Sequence, residues 1–193
     1  MAITISGSGI TSANIADGTI VNGDIHSGAA IAGTKVEGSF GKVLQVVQDN
    51  KTDTWTTTAG PAWSSIGGLQ VDITPASSSS KMLVSFDITT ACANGQRYGL
   101  RLHRNGSWID LADVSGSRTR ATSTGDGRAS SGTDRNISIT FLDEPNTSSN
   151  VTYNVYAACE NSSLLCVNRS YSHGEASTVF VGTSSLTVME IGA

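Results

Sequence analysis

Charge is scarce in this chain: only 15% of its 193 residues are Asp, Glu, Lys or Arg, and the net charge is -4. Without a basic face, little can displace counterions from phosphates, which argues against nucleic acid as a partner. Long apolar runs are missing too. No stretch approaches the ~20 residues that cross a bilayer, so no membrane insertion is expected. The opening MAITISGSGI lacks a basic lead, a continuous apolar segment and a cleavage site. Synthesis in a cytoplasm, without the secretory route, is the expectation. Cysteines number three, Cys92, Cys159 and Cys166. An odd count opposes a disulfide framework, and the spacing matches neither a zinc knuckle nor a CxxC pair. Reduced, partly buried thiols acting as small apolar residues are expected, with a Cys159–Cys166 hairpin bridge as the alternative.

Helix formers are sparse, whereas Ser, Thr, β-branched residues and 21 glycines are plentiful. That composition belongs to strands and turns. The first forty residues carry a separate pattern. Ile5, Ile10, Ile15, Ile20 and Ile25, then Ile31 and Val36, recur every five residues with one six-residue step. Five fits neither a helix face nor strand alternation, and a short fixed period marks a fibrous or solenoid repeat. One chain has too few anchors to offset ~1–2 kcal/mol of backbone entropy per ordered residue. Three chains around a common axis would stack their isoleucines in layers, making these seven residues a trimer stalk core. A pentapeptide-repeat β-helix, short of coils, and a flexible Gly-rich leader are the two other readings of the same spacing.

Beyond a join near EGSFGK the period becomes two, and the expected organisation is a stalk over 1–40 and a head over 41–193. KVLQVVQ, LQVDI, KMLVSFDIT, RYGLRLHR, NISITFLD, VTYNVYA and SLTVMEI read as strands. Met82, Val84, Phe86 and Ile88 share one face, as do Tyr98, Leu100 and Leu102, and Asn105-Gly106 is a hairpin dipeptide. About eight to ten short strands at this spacing predict an all-β, jelly-roll-like sandwich. The segment 114–136 interrupts the pattern as a long loop holding Arg118, Arg120, Arg128 and Arg135.

Chemistry is hard to find. His26, His103 and His173 accompany no G-x-S-x-G or HExxH, and paired carboxylates in a cleft motif are absent, so neither an enzyme nor a cofactor is expected. Asp110, Asp113, Asp126 and Asp134 lack the order of a calcium loop. Arg118, Arg120 and Arg128 form the candidate binding loop, because guanidinium forks suit carboxylate, sulfate or phosphate on a polysaccharide. The competing reading pairs those arginines with Asp113, Asp126 and Asp134. Trp55, Trp63 and Trp108 are read as core anchors ahead of sugar platforms.

The stretch ITSANIADGTIVNGDIHSGAAIAGTKVEG resembles the repeats of bacteriophage tail-fibre and other virion-appendage proteins. GKVLQVVQ, KTDTWTTT, VDITPASSSSKMLVS, SGSRTRAT and SSLTVMEI, in that order, are similar to a globular module common in marine phages, cyanophages included. The resemblance implies a homotrimeric fibre or spike on the virion, made in the host bacterial cytoplasm, with a β-sandwich knob that engages host-surface glycans. It supplies no catalytic residues. Such fibres usually have a sizeable attachment domain and a long shaft, neither of which is present here. A capsid decoration fibre is therefore the rival, with Met1 to Ser8 docking on other virion proteins. A polysaccharide depolymerase is the reading from another class.

Overall fold

A computed structural model describes residues 42–60, 62–93, 95–127, 134–171, 177 and 179–192. The stalk core (Ile5, Ile10, Ile15, Ile20, Ile25, Ile31 and Val36), the join, His26, Arg128 and His173 lie outside the described residues.

Alternation produces the strands. β1 (Val43–Lys51), β2 (Trp55–Thr57), β3 (Ser64–Ile73), β4 (Lys81–Cys92), β5 (Arg97–Arg104) and β6 (Ser107–Ile109) come first. β7 (Ser123–Asp126), β8 (Arg135–Asp143), β9 (Val151–Cys159), β10 (Leu165–Val167) and β11 (Ser184–Ile191) follow. Along β4 the even-numbered Met82, Val84, Phe86 and Ile88 are all buried, and along β9 the odd-numbered Val151, Tyr153 and Val155 are fully so. A side-chain period of two allows nothing else once one face meets a core.

The strands pair antiparallel in a nested series: β1 with β11, β3 with β9, β4 with β8, and β5 with β7. Further pairing of β4 with β11 and of β5 with β9 assembles two sheets, β1-β11-β4-β8 and β3-β9-β5-β7. This order, a long hairpin rolled on itself, is a jelly roll. β2 and β10 extend the first sheet, and β6 adds to the second through the Asn105-Gly106 turn, whose φ values of 45° and 86° suit a primed hairpin. The segment expected to be a loop over 114–136 therefore contains a strand. STGD has no apolar residue to announce it, and it forms because β5 offers an open edge.

Two polar clusters lock the sandwich. Asn168, fully buried at φ 63°, donates its amide to the carbonyls of Lys51 and Asp53, both at 2.9 Å, and accepts from the Ser184 hydroxyl at 2.6 Å. At the far end of β8, Asp143 accepts from Arg104 at 2.6 and 2.7 Å and from the Tyr153 hydroxyl at 2.6 Å. This second cluster joins the sheets, since Asp143 belongs to one and Arg104 and Tyr153 to the other. Burial, then the Asp143 hydrogen bond, pushes the Tyr153 phenol up, keeping it a donor.

Glu190 on β11 is fully buried and accepts from the Gln45 amide at 2.6 Å and the Ala76 N–H at 2.7 Å. Burial alone would raise its pKa; the Ser80 hydroxyl beside it and these two donors prevail and hold it below the usual range. A carboxyl depressed on folding contributes stability above its unfolded pKa, about 4.3, and loses it as pH falls through the folded value. Melting temperature is therefore expected to drop on acidification below about pH 4.3. Glu190→Gln should cost about 1–3 kcal/mol at neutral pH and flatten that acid limb in a series of thermal melts. An unchanged acid limb would assign the pH dependence to other carboxyls.

Candidate functional site

Because Leu100 and Leu102 of β5 face the core, Arg101 and His103 must face outward; Tyr156 and Asn154 of β9 do so for the same reason. Pairing then sets Arg101 opposite Tyr156 and His103 opposite Asn154. The β5–β6 hairpin carries Trp108 to a position opposite His103. Trp63, just before β3, lays its indole over Gly99, where a Cβ would come within 2.9 Å of the ring. Glycine at 99 thus makes the seat for that tryptophan.

These residues form one aromatic and cationic cluster on the outer face of the second sheet. Trp108 contacts Tyr156 edge-on and His103 edge-on, each with ring centroids 5.0 Å apart, and His103 lies 5.0 Å from Tyr156. The Arg101 guanidinium carbon sits 4.0 Å from the Trp63 ring centroid and 5.1 Å from that of Trp108. Cation–π attraction of this kind contributes ~0.5–1 kcal/mol at an exposed site, more when dry. Trp108 nonetheless keeps 38% of its surface exposed. Next to the rings runs a polar row. Asn154 donates to Gln70 at 2.8 Å, Gln70 donates to Asp72 at 3.0 Å, and the Thr152 hydroxyl donates to Asp72. The Thr152 bond, then the Gln70 bond, holds Asp72 below the ordinary carboxylate range.

The cluster has spare positive charge. Arg101 donates Nε to the Arg120 carbonyl at 2.7 Å, and burial followed by the Arg120 charge lowers its pKa. Arg120 donates its own Nε to the Ala112 carbonyl. Among the described residues neither arginine pairs with a carboxylate. Planar guanidinium forks that pair with no carboxylate among the described residues, beside the exposed Trp108 ring and side-chain amides, can take an acidic sugar. The ring C–H groups of the sugar would meet the electron-rich indole face, and its acid group would meet the fork.

The sequence-derived candidates are distributed unevenly. Arg120 reaches the cluster, whereas Arg118 is exposed and turns onto Ser115, with 3.1 Å from Nη1 to the hydroxyl. Arg135 pairs with Asp126 at 2.7 Å, one of the acid partners considered for this loop. Among the described residues no group of three or more His, Cys, Asp or Glu could hold a metal. Trp55 does pack against the core. Trp63 and Trp108 do not, correcting their expected role as core anchors: Trp63 lies just before β3 and Trp108 within β6, and both pack around Arg101 instead. Arg101 and Tyr156 escaped the sequence reading, although their alternation with Leu100, Leu102 and Val155 already assigned them to the solvent side.

No family model and no curated protein matches the chain. Among solved structures, that of the infectious bursal disease virus Gx strain aligns over 76% of this chain and 38% of its own, at 8% identity and a TM-score of 0.38. The VP2 subviral particle of infectious bursal disease virus aligns over 77% of this chain and 38% of its own, at 8% identity and a TM-score of 0.37. This chain therefore spans well under half the length of the chains it matches.

Proposed function

We propose that the protein is a non-enzymatic structural part of a bacteriophage virion, a short homotrimeric spike that attaches to acidic glycans on the host surface. The observation that carries attachment is the outer-face cluster in which the exposed Trp108 and half-buried Tyr156 rings stand beside Arg101 and Arg120, which pair with no carboxylate among the described residues. The phage resemblance of the repeats and of the head supplies the setting, and jelly rolls serve both capsid and lectin modules. Fold alone selects neither role; the outer-face cluster is what supports attachment. No catalytic step belongs to this reading. Asp72, the carboxylate in the polar row, is engaged by Thr152 and Gln70 and acts as an acceptor for sugar hydroxyls.

In this proposal residues 1–40 form the stalk, contact other virion proteins and trimerise through the isoleucine ladder, while 41–193 form the head. Changing Ile15 and Ile20 together to Asp should leave monomers by sedimentation. A trimer that survives both charges removes the stalk from the proposal.

Location is tested by immunogold microscopy of intact particles with antibody to the head. Label on the tail, together with loss of adsorption when the antibody is added, supports host attachment. Label over the shell with normal adsorption assigns the protein to decoration. Unlabelled particles overturn the virion assignment altogether.

A further inference from the structure

Three cysteines lie buried as free thiols, and two of them meet. Cys92 is the last residue of β4 and Cys159 the last of β9, so they come from different sheets. Both occupy the inward face: Cys92 continues the even-numbered series of Phe86 and Ile88, and Cys159 the odd-numbered series of Val155 and Ala157. Their sulfurs stand 3.0 Å apart. Cys166 is excluded by the same alternation. Its neighbours Leu165 and Val167 face the core, so Cys166 points to the opposite side of its sheet.

We propose that Cys92 and Cys159 are a disulfide-forming site that bolts one sheet of the jelly roll to the other when the protein meets a small-molecule disulfide of the oxidised-glutathione class. The two thiols are in contact within the folded state, so closure needs only a small approach of the sulfurs. Their position at strand ends matters as much. The last residues of β4 and β9 open by local fraying at far lower cost than mid-strand positions, which gives the oxidant access to groups otherwise buried.

The chemistry balances without a further reagent. The Cys159 thiolate attacks one sulfur of the small disulfide, forming a mixed disulfide and expelling one thiolate. The Cys92 thiolate then attacks the Cys159 sulfur, forming the protein disulfide and expelling the second. Two electrons pass from the cysteines to the reagent, and the two cysteine protons end on the two small thiols. The two sulfurs share one hydrogen bond in which either thiol can donate, so the same two steps balance equally with the two cysteines exchanged.

The consequence is mechanical. The bond would close a loop of 67 residues between the sheets, restricting the unfolded chain while leaving the fold in place. Such a device keeps the chain unlinked in a reducing cytoplasm and hardens it outside the cell.

The test uses the full chain, incubated with oxidised or with reduced glutathione, then acid-quenched, alkylated under denaturing conditions and digested for mass spectrometry. The expected result is a peptide joining Cys92 to Cys159 with Cys166 alkylated, and a melting temperature about 10 °C higher than that of the reduced protein. The Cys166→Ser variant should give the same linked peptide. Three alkylated thiols, glutathione retained on either residue without a link, or a link through Cys166 would each overturn the proposal. The mapping is done on the unsubstituted chain, so it stands even if Cys92→Ser fails to fold.

Discussion

Asp143→Ala is expected to destabilise the head by about 3 kcal/mol or more, the largest single-residue effect among its polar groups. The carboxylate is 5% exposed and serves two donors from the other sheet, Arg104 and Tyr153. Removing it leaves the fully buried Tyr153 hydroxyl with no acceptor, which alone costs about 1–3 kcal/mol. It also leaves the Arg104 guanidinium without its counter-ion. The Arg104 side chain is 26% exposed and can turn partly to water, so its share falls below that of a dry buried charge. In urea denaturation the midpoint should fall with the slope unchanged, and melting should drop by about 10 °C. Tyr153→Phe removes one donor and no charge, so about 1 kcal/mol is expected from it. A cost below about 1 kcal/mol for Asp143→Ala would mean that hydrophobic contacts alone hold the sheets together.

Trp108→Ala is expected to weaken binding to acidic polysaccharide at least tenfold, with stability changed by under about 1 kcal/mol. Trp108 is the most exposed ring of the cluster and touches His103, Tyr156 and Arg101, so it provides the stacking surface and a wall beside the guanidinium. Arg101→Lys should also weaken binding, because an ammonium keeps the charge and loses the planar fork. Arg118→Ala should leave affinity unchanged, since that side chain turns onto Ser115 away from the rings. Calorimetric titration against uronate-containing or sulfated oligosaccharides reads all three. Raising salt should weaken wild-type binding. Neutral sugars bound as tightly as acidic ones would reduce the arginines to supports for the indoles. Affinity untouched by Trp108→Ala would remove the face from the functional proposal.

The faces of the strands were legible in the chain. Met82 to Ile88, Tyr98 to Leu102 and Val151 to Val155 alternate as a half-buried strand must, and the buried sets are those the alternation names. Asn105-Gly106 announced its hairpin through backbone chemistry that few other dipeptides tolerate. β7 was not legible, because Ser, Thr, Gly and Asp carry no burial signal and the strand exists only through its partner β5. The candidate face was half legible. Arg101 and Tyr156 could be assigned outward by counting, but that they stand opposite each other depends on β5 meeting β9, strands some fifty residues apart in the chain.

The cysteines make the same division. Sequence proximity offered Cys166 as the alternative partner of Cys159 beside the expectation of free thiols, and the fold instead sets the Cys159 thiol against that of Cys92 across the interior. An all-β chain with a sandwich head, the inward set of each strand and the hairpin at Asn105-Gly106 were determined by sequence alone, because a period of two and turn chemistry are local properties. Which strands pair, which tryptophans leave the core and which carboxylate clamps the sheets were decided only by the tertiary structure. Those outcomes depend on contacts between segments far apart in the chain, selected by how one nested sheet buries its apolar face against the other.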